Sequence, residues 1–144
     1  MHKIIDNLEI REVGAPVAAG SSIDDNSDRI DMAGYESVAF AVPITDCADT
    51  GVATLTIEEN TADSDSGMTA VSGTAATDTS AADDDLNGTL LVTEYRKPAS
   101  RYVQAVRTSA TANIAYGNVI ALLKPKRLPA SQGATVSDAE SVSH

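Results

Sequence analysis

Carboxylates carry most of the chemical potential in this sequence, and two clusters have the look of cation-binding loops. Asp63 and Asp65 alternate with Ser64 and Ser66 ahead of Gly67, which places oxygen donors at every position. Asp83, Asp84 and Asp85 follow one another directly. Hard cations such as calcium collect oxygen ligands from loops of this kind. The first cluster, however, lacks the downstream Glu that closes an EF-hand loop, and its surroundings read as strands. Asp and Gly also tolerate left-handed turns, so solvent-exposed turns account for both clusters. No bound metal is expected.

Other chemistries fail on residue type or placement. His2 and His144 sit at the two ends of the chain, too far out to organise a general base or a metal triad in a core. Cys47 is the single cysteine, which leaves no intrachain disulfide and fits a small buried thiol in a turn. Gly67 to Gly73 lacks the Lys and the strand-to-helix setting of a phosphate loop. The sequence therefore predicts no enzyme and no cofactor.

The elements that would position any surface are strands. From Glu36 to Ile44 the residues Val38, Phe40, Val42 and Ile44 share one parity. From Val52 to Glu59, Ala53, Leu55 and Ile57 alternate with Thr54, Thr56 and Glu58. A period of two marks half-buried strands, and these two read as an antiparallel pair joined through Thr45 to Gly51. Further strands are expected at Arg29 to Met32, Thr89 to Tyr95, Arg101 to Thr108, Ala112 to Tyr116 and Val119 to Leu123. Gly20 to Asp28 and Arg96 to Ser100 read as turns, and Gly117 with Asn118 as a tight turn or bulge. Short edge strands are expected near Met68 to Ser72 and Ala75 to Thr79, because a long structureless loop is improbable inside a compact domain. Met1 to Val17 forms either a first strand or an arm extending to a partner. From Leu128 the tail is polar and aperiodic, and is expected to be flexible or ordered by a partner. The domain then spans residues 1–127, with 128–144 as tail. Short strands with Gly and Asp turns give an all-β, antiparallel jelly-roll or β-sandwich. Its predicted core is Val38, Phe40, Val42, Leu55, Ile57, Leu91, Val103 and Ile120.

With 144 residues the chain can bury a real core, but aromatics make up only 3% of it, so burial per residue is modest and oligomerisation would add stability. A net charge of -11 argues against general nucleic-acid or anionic-membrane binding. No apolar run reaches the length of a membrane span, and the start of the chain does not read as a signal peptide, so a soluble protein made in the cytoplasm is expected. The charge is unevenly spread. Met1 to Tyr95 holds three basic and nineteen acidic residues, whereas Arg96 to Arg127 holds seven basic and none acidic. Those seven, Arg96, Lys97, Arg101, Arg107, Lys124, Lys126 and Arg127, either pair with early acidic strands of the same chain or form a surface for an acidic neighbour.

The order and wording of these segments resemble the jelly-roll cement, or decoration, proteins of tailed-bacteriophage capsids. The resemblance lies in Ser37 to Val42, in Asp49 to Asn60 around their turn, in Thr89 to Tyr95, in the Pro98-x-x-Arg101-Tyr102 start of the next strand, and in Val119 to Leu123. It spans Ile4 to Leu123. It implies a homotrimer on the outside of an icosahedral head, bridging neighbouring major capsid protein subunits, with no catalytic site. Alternatives are a head-completion or tail-tube component of a virion, or a carbohydrate-binding jelly roll. The last usually presents Trp or Tyr platforms, and this sequence has no Trp.

Overall fold

The computed structural model describes residues 3–142, so His2 and His144 fall outside it. Among the described residues there are twelve strands and a single-turn helix, α1 (Ile4–Asn7). One antiparallel sheet holds β1 (Glu9–Gly14), β2 (Val17–Gly20), β5 (Tyr35–Cys47), β9 (Leu90–Arg96), β11 (Ile114–Tyr116) and β12 (Val119–Pro125). The other holds β3 (Asp24–Asn26), β4 (Ile30–Asp31), β6 (Val52–Asn60), β7 (Thr69–Ala70), β8 (Ala76–Thr79) and β10 (Tyr102–Ala110). Four successive pairs, β1/β2, β3/β4, β7/β8 and β11/β12, each follow one neighbouring track and act as interrupted single strands. The twelve segments thus form eight tracks, ordered 1-8-3-6 in the first sheet and 2-7-4-5 in the second. That is jelly-roll order. The all-β sandwich expected from the period-two pattern is the fold of this chain.

The pairing of β5 with β6 is overturned. They lie in opposite sheets, β5 between β12 and β9, and β6 between β10 and the β7/β8 track. Each carries one wholly apolar face: Val38, Phe40, Val42 and Ile44 on β5, and Ala53, Leu55 and Ile57 on β6, all at 0% exposure. Side by side, both faces would need a third layer to cover them; face to face, they cover each other. The chain turns the corner between sheets with Thr50 in a left-handed conformation (φ 67) and the Gly51 amide donating to the Ala48 carbonyl.

Seven of the eight predicted core residues are buried. Ile120 is the exception, half-buried on the outer face of the first sheet. On β12 the inward positions are Val119, Ala121 and Leu123, and both parities of that strand are apolar, so pattern alone could not choose between them. Gly117 and Asn118 form no hairpin. β11 and β12 run in the same sense along β5, with Tyr116 opposite Ile44 and Ile120 opposite Ala41, and the two residues between them are a bulge. A Cβ on Gly117 would lie 2.5 Å from Cγ of Pro43, which is why this bulge needs glycine.

The stretch read as one turn, Gly20 to Asp28, contains β3. β7 and β8 lie within the two spans expected for edge strands. The N-terminal stretch is a first strand, β1, paired with β12. Among the described residues after Leu128 there is no helix or strand, yet the chain itself orders part of this segment. The side-chain amide of Gln132 donates to the carbonyls of Ile5 (3.0 Å) and Leu8 (2.7 Å), and its oxygen accepts from the Ile10 amide (2.9 Å). Thr135 Oγ1 accepts from the Glu12 amide (3.2 Å). An edge strand leaves backbone groups unpaired, and these polar side chains satisfy them without a further strand.

Tyr116 ties the two sheets together. Its hydroxyl donates to the Thr108 carbonyl (2.6 Å) and accepts from the Thr54 amide (3.0 Å). Burial pushes its pKa up to about 12, so stability from the neutral phenol is complete below an unfolded value of about 10 and is lost as pH rises through the folded one. Tyr116→Phe should cost about 1–2 kcal/mol at neutral pH in urea unfolding. The variant should also lose less stability than the parent between about pH 10 and 12, which is measured by repeating the unfolding curves across that range.

Candidate functional site

Antiparallel order gathers the end of β4, the start of β5, the end of β9, the start of β10 and the end of β12 at one end of the sandwich. Backbone hydrogen bonds lace the connections there: Lys97 amide to Glu36 carbonyl (2.8 Å), Lys126 amide to Gly34 carbonyl (2.9 Å), and Met32 amide to Arg101 carbonyl (2.7 Å). The turn from Lys97 to Arg101 is fixed from the opposite sheet. The Glu59 carboxylate of β6 accepts from the Tyr95 hydroxyl and the Ser100 amide, each at 3.0 Å, and the Ala99 amide donates to the same tyrosine oxygen at 3.1 Å. Burial foremost, together with Glu59, raises the Tyr95 pKa. Lys97 itself sits in a left-handed conformation (φ 51), an uncommon backbone state for a side chain of this size.

Three clefts open at this end. One of about 590 Å³ lies between Met32–Glu36 and Lys97–Arg101, with Lys126 on its wall. A second, of about 670 Å³, places Arg96 and Lys97 beside Glu36, Glu94 and the 71–74 loop. A third, of about 240 Å³, holds Arg127 against Pro129 and Ala130.

The structure divides the seven cations singled out by sequence. Arg107 is not on the surface. It points inward from β10 at 1% side-chain exposure, pairs with Asp25 and donates to the Gly117 carbonyl (2.7 Å), so its candidacy as a contact residue is corrected. It shares its parity on β10 with Val103 and Ala105, but Gln104 and Val106 on the other parity are buried as well, so no alternation in the sequence marked Arg107 as inward. Arg101 forms a two-pronged pair with Asp31 (2.9 and 2.8 Å), and Lys124 lies 3.3 Å from Glu36. These two follow the intrachain reading. Arg96, Lys97, Lys126 and Arg127 are exposed and form no ion pair among the described residues.

The acidic loops are partly engaged within the chain. Asp63 accepts from Arg29 (2.7 Å), and Asp65 accepts from Asn26 (2.9 Å) and Gln104 (3.0 Å), closing the loop over the outer face of β10. Asp85 accepts from Ser80 (2.8 Å) and the Ala81 amide (2.9 Å), hydrogen bonds that hold its pKa below the usual carboxylate range, the backbone one foremost. Among the described residues no three His, Cys, Asp or Glu side chains are grouped as a metal site. No helix there is long and apolar enough to cross a membrane.

Neither a family description nor a curated protein matches this sequence. Solved structures with a similar course include the CBM22-1 and GH10 modules of Clostridium thermocellum xylanase 10B complexed with xylohexaose (TM-score 0.45, 11% identity, 88% of this chain and 30% of that one). The Gt strain of infectious bursal disease virus matches with TM-score 0.45 and 13% identity over 86% of this chain and 34% of the other. The Gx strain matches with TM-score 0.45 and 12% identity over 83% and 33%. This chain spans about a third of each. At such identities the likeness concerns the course of the chain alone.

Two outcomes test this division of charges. Arg107→Ala should cost about 3 kcal/mol, because it empties a core position and strips the Gly117 carbonyl of its donor, whereas Arg96→Ala and Arg127→Ala should each stay within about 0.5 kcal/mol of the parent in urea unfolding. Asp31 is held at a pKa of about 2, chiefly by the hydrogen bonds from Arg101, so its contribution is present above an unfolded value of about 4 and is lost as pH falls through the folded one. Asp31→Asn should therefore flatten the fall in melting temperature between about pH 4 and 2.

Proposed function

We propose that this chain is a structural protein of a virion, a decoration protein that binds the outside of an icosahedral phage head and braces contacts between major capsid subunits. The observation that carries the reading is the set of four exposed cations, Arg96, Lys97, Lys126 and Arg127, at one end of a jelly roll of net charge -11. A strongly acidic protein that gathers four exposed, unpaired cations at one braced end offers there a place where an acidic macromolecular surface meets less repulsion than elsewhere. The order of segments that resembles capsid decoration proteins supports a capsid shell as that surface, and a lattice repeating the same site many times makes weak contacts collectively strong. In this reading the protein works as a homotrimer, and each copy turns its cationic end toward the shell.

Cosedimentation with purified heads, run beside a glycan array, tests the proposal. Saturable binding to heads is expected. It should weaken by about ten-fold or more in the double variant Lys97→Glu/Lys126→Glu and fall steeply as salt is raised toward about 0.5 M, since exposed ion pairs are screened. Binding that ignores both changes would remove the cationic end from the contact. Glycan binding with no affinity for heads would replace the reading with a carbohydrate-binding module.

A further inference from the structure

The loop from Thr61 to Gly67 folds onto the outer face of the second sheet, and what it meets there is polar. Asn60 shapes it from within, its side-chain amide donating to the carbonyls of Ser64 (2.9 Å) and Ser66 (3.0 Å). Asp63 is taken by Arg29, whereas Asp65 reaches over β10. Against it stands Gln104, at 0% exposure and directly across the ladder from Glu58 of β6. The Nε2 of Gln104 donates to Glu58 (2.9 Å) and to Asp65 (3.0 Å), so two carboxylates converge on one nitrogen. The Asn26 amide of β3 donates to the same Asp65 oxygen (2.9 Å). Neither Glu58 nor Asp65 forms an ion pair among the described residues. The Oε1 of Gln104 is buried and has no hydrogen-bond partner among them. An amide oxygen buried without a donor is costly, and its place beside two carboxylates points to a missing positive charge.

We propose that Glu58, Asp65, Gln104 and Asn26 form a calcium site that clasps this loop to the sheet. The last bond of a glutamine side chain has two settings, half a turn apart. Half a turn puts Oε1 where Nε2 stands, facing both carboxylates. Three oxygens around one point repel one another unless a cation lies between them, and that cation is the partner Oε1 lacks. Asn26, turned in the same way, adds a fourth oxygen on the Asp65 side. Arg29, close enough to feel Asp65, is itself held by Asp63 (2.7 Å), so the charges of Glu58 and Asp65 match those of one divalent ion. Calcium accepts about six to eight oxygens in irregular array, water included, whereas magnesium demands a near-ideal octahedron. Three of the donors stand on strands, Asn26 on β3, Glu58 on β6 and Gln104 on β10, and the loop has only to bring Asp65. The sequence showed the alternating acids of the loop but not the strand residues that the ladder sets against them.

Titration of the full chain with calcium chloride, against sodium chloride of equal ionic strength, should show one ion bound per chain. With only two carboxylates the dissociation constant should fall at about 10⁻⁴ to 10⁻³ M, and magnesium should bind at least about ten-fold more weakly. Calcium at about 10 mM should raise the melting temperature by about 5 °C. In nitrogen-edited NMR spectra the side-chain NH2 pair of Gln104 should shift in step with calcium, because the amide turns. Glu58→Gln and Asp65→Asn, which keep the shape of each side chain, should weaken binding by about ten-fold or more, whereas Asp84→Asn in the other acidic loop should leave it unchanged. A parent chain whose melting temperature and Gln104 amide both ignore calcium would overturn the proposal without any variant having to fold. An equal response to magnesium, or calcium binding undiminished in both Glu58→Gln and Asp65→Asn, would overturn it as well.

Discussion

The buried guanidinium of Arg107 is the constraint on which the rest of this sandwich depends. A charge at 1% exposure is costly unless it is paired and hydrogen-bonded. The chain meets that demand with Asp25 from β3 and the carbonyl of Gly117 in the facing sheet. The carbonyl is presented there by the bulge between β11 and β12, and the bulge exists only because Gly117 can lie against Pro43. Gly14 leaves room on the other side, where a Cβ would come 3.2 Å from Nη2 of Arg107. One polar side chain thus links two sheets through the bulge, while the two glycines leave room for Pro43 on one side and for Val119 and Arg107 on the other. The Nε of Arg107 has no partner among the described residues, a residual cost of burying the group.

Tyr116 repeats the device one residue before the bulge, reaching from the first sheet to backbone groups of β6 and β10. A core of Val, Ile, Leu and Ala with Phe40 as its single Phe supplies burial but little directionality. The polar ties supply the directionality. They set which residues of one sheet stand over which residues of the other, something small interchangeable side chains would leave loosely specified.

The fold class was legible because alternation is local: Val38 to Ile44 and Ala53 to Ile57 announce strands with one buried face. Which strand pairs with which was not. β5 and β6 look like a hairpin in one dimension, and only the need to cover two apolar faces places them in opposite sheets. Ile120 shows the same limit, since its strand is apolar on both parities and the bulge before it resets the phase. Of the basic segment, sequence gave the residues but not their fates. Arg107 sits on a strand with apolar residues on both parities, Tyr102 and Val106 as well as Val103 and Ala105, so pattern did not mark it as inward, and the acids that occupy Arg101 and Lys124 lie far away in the chain. The cationic end is real as a cluster because the jelly-roll crossing brings the ends of β9 and β12 together.

That crossing also governs how the molecule comes into being. The first track pairs with the eighth, with Glu9 opposite Leu123, and the second with the seventh, with Asp24 opposite Thr108. On a ribosome the first four strands, which end at Asp31, must wait without a lateral partner until β10, β11 and β12 emerge. Closing such distant contacts is slow compared with local hairpin formation. The acids crowded into that early portion keep the waiting chain hydrated and mutually repelling. The same uneven charge that leaves a cationic end on the finished sandwich therefore guards the nascent polypeptide against sticking to its neighbours before its last strand arrives.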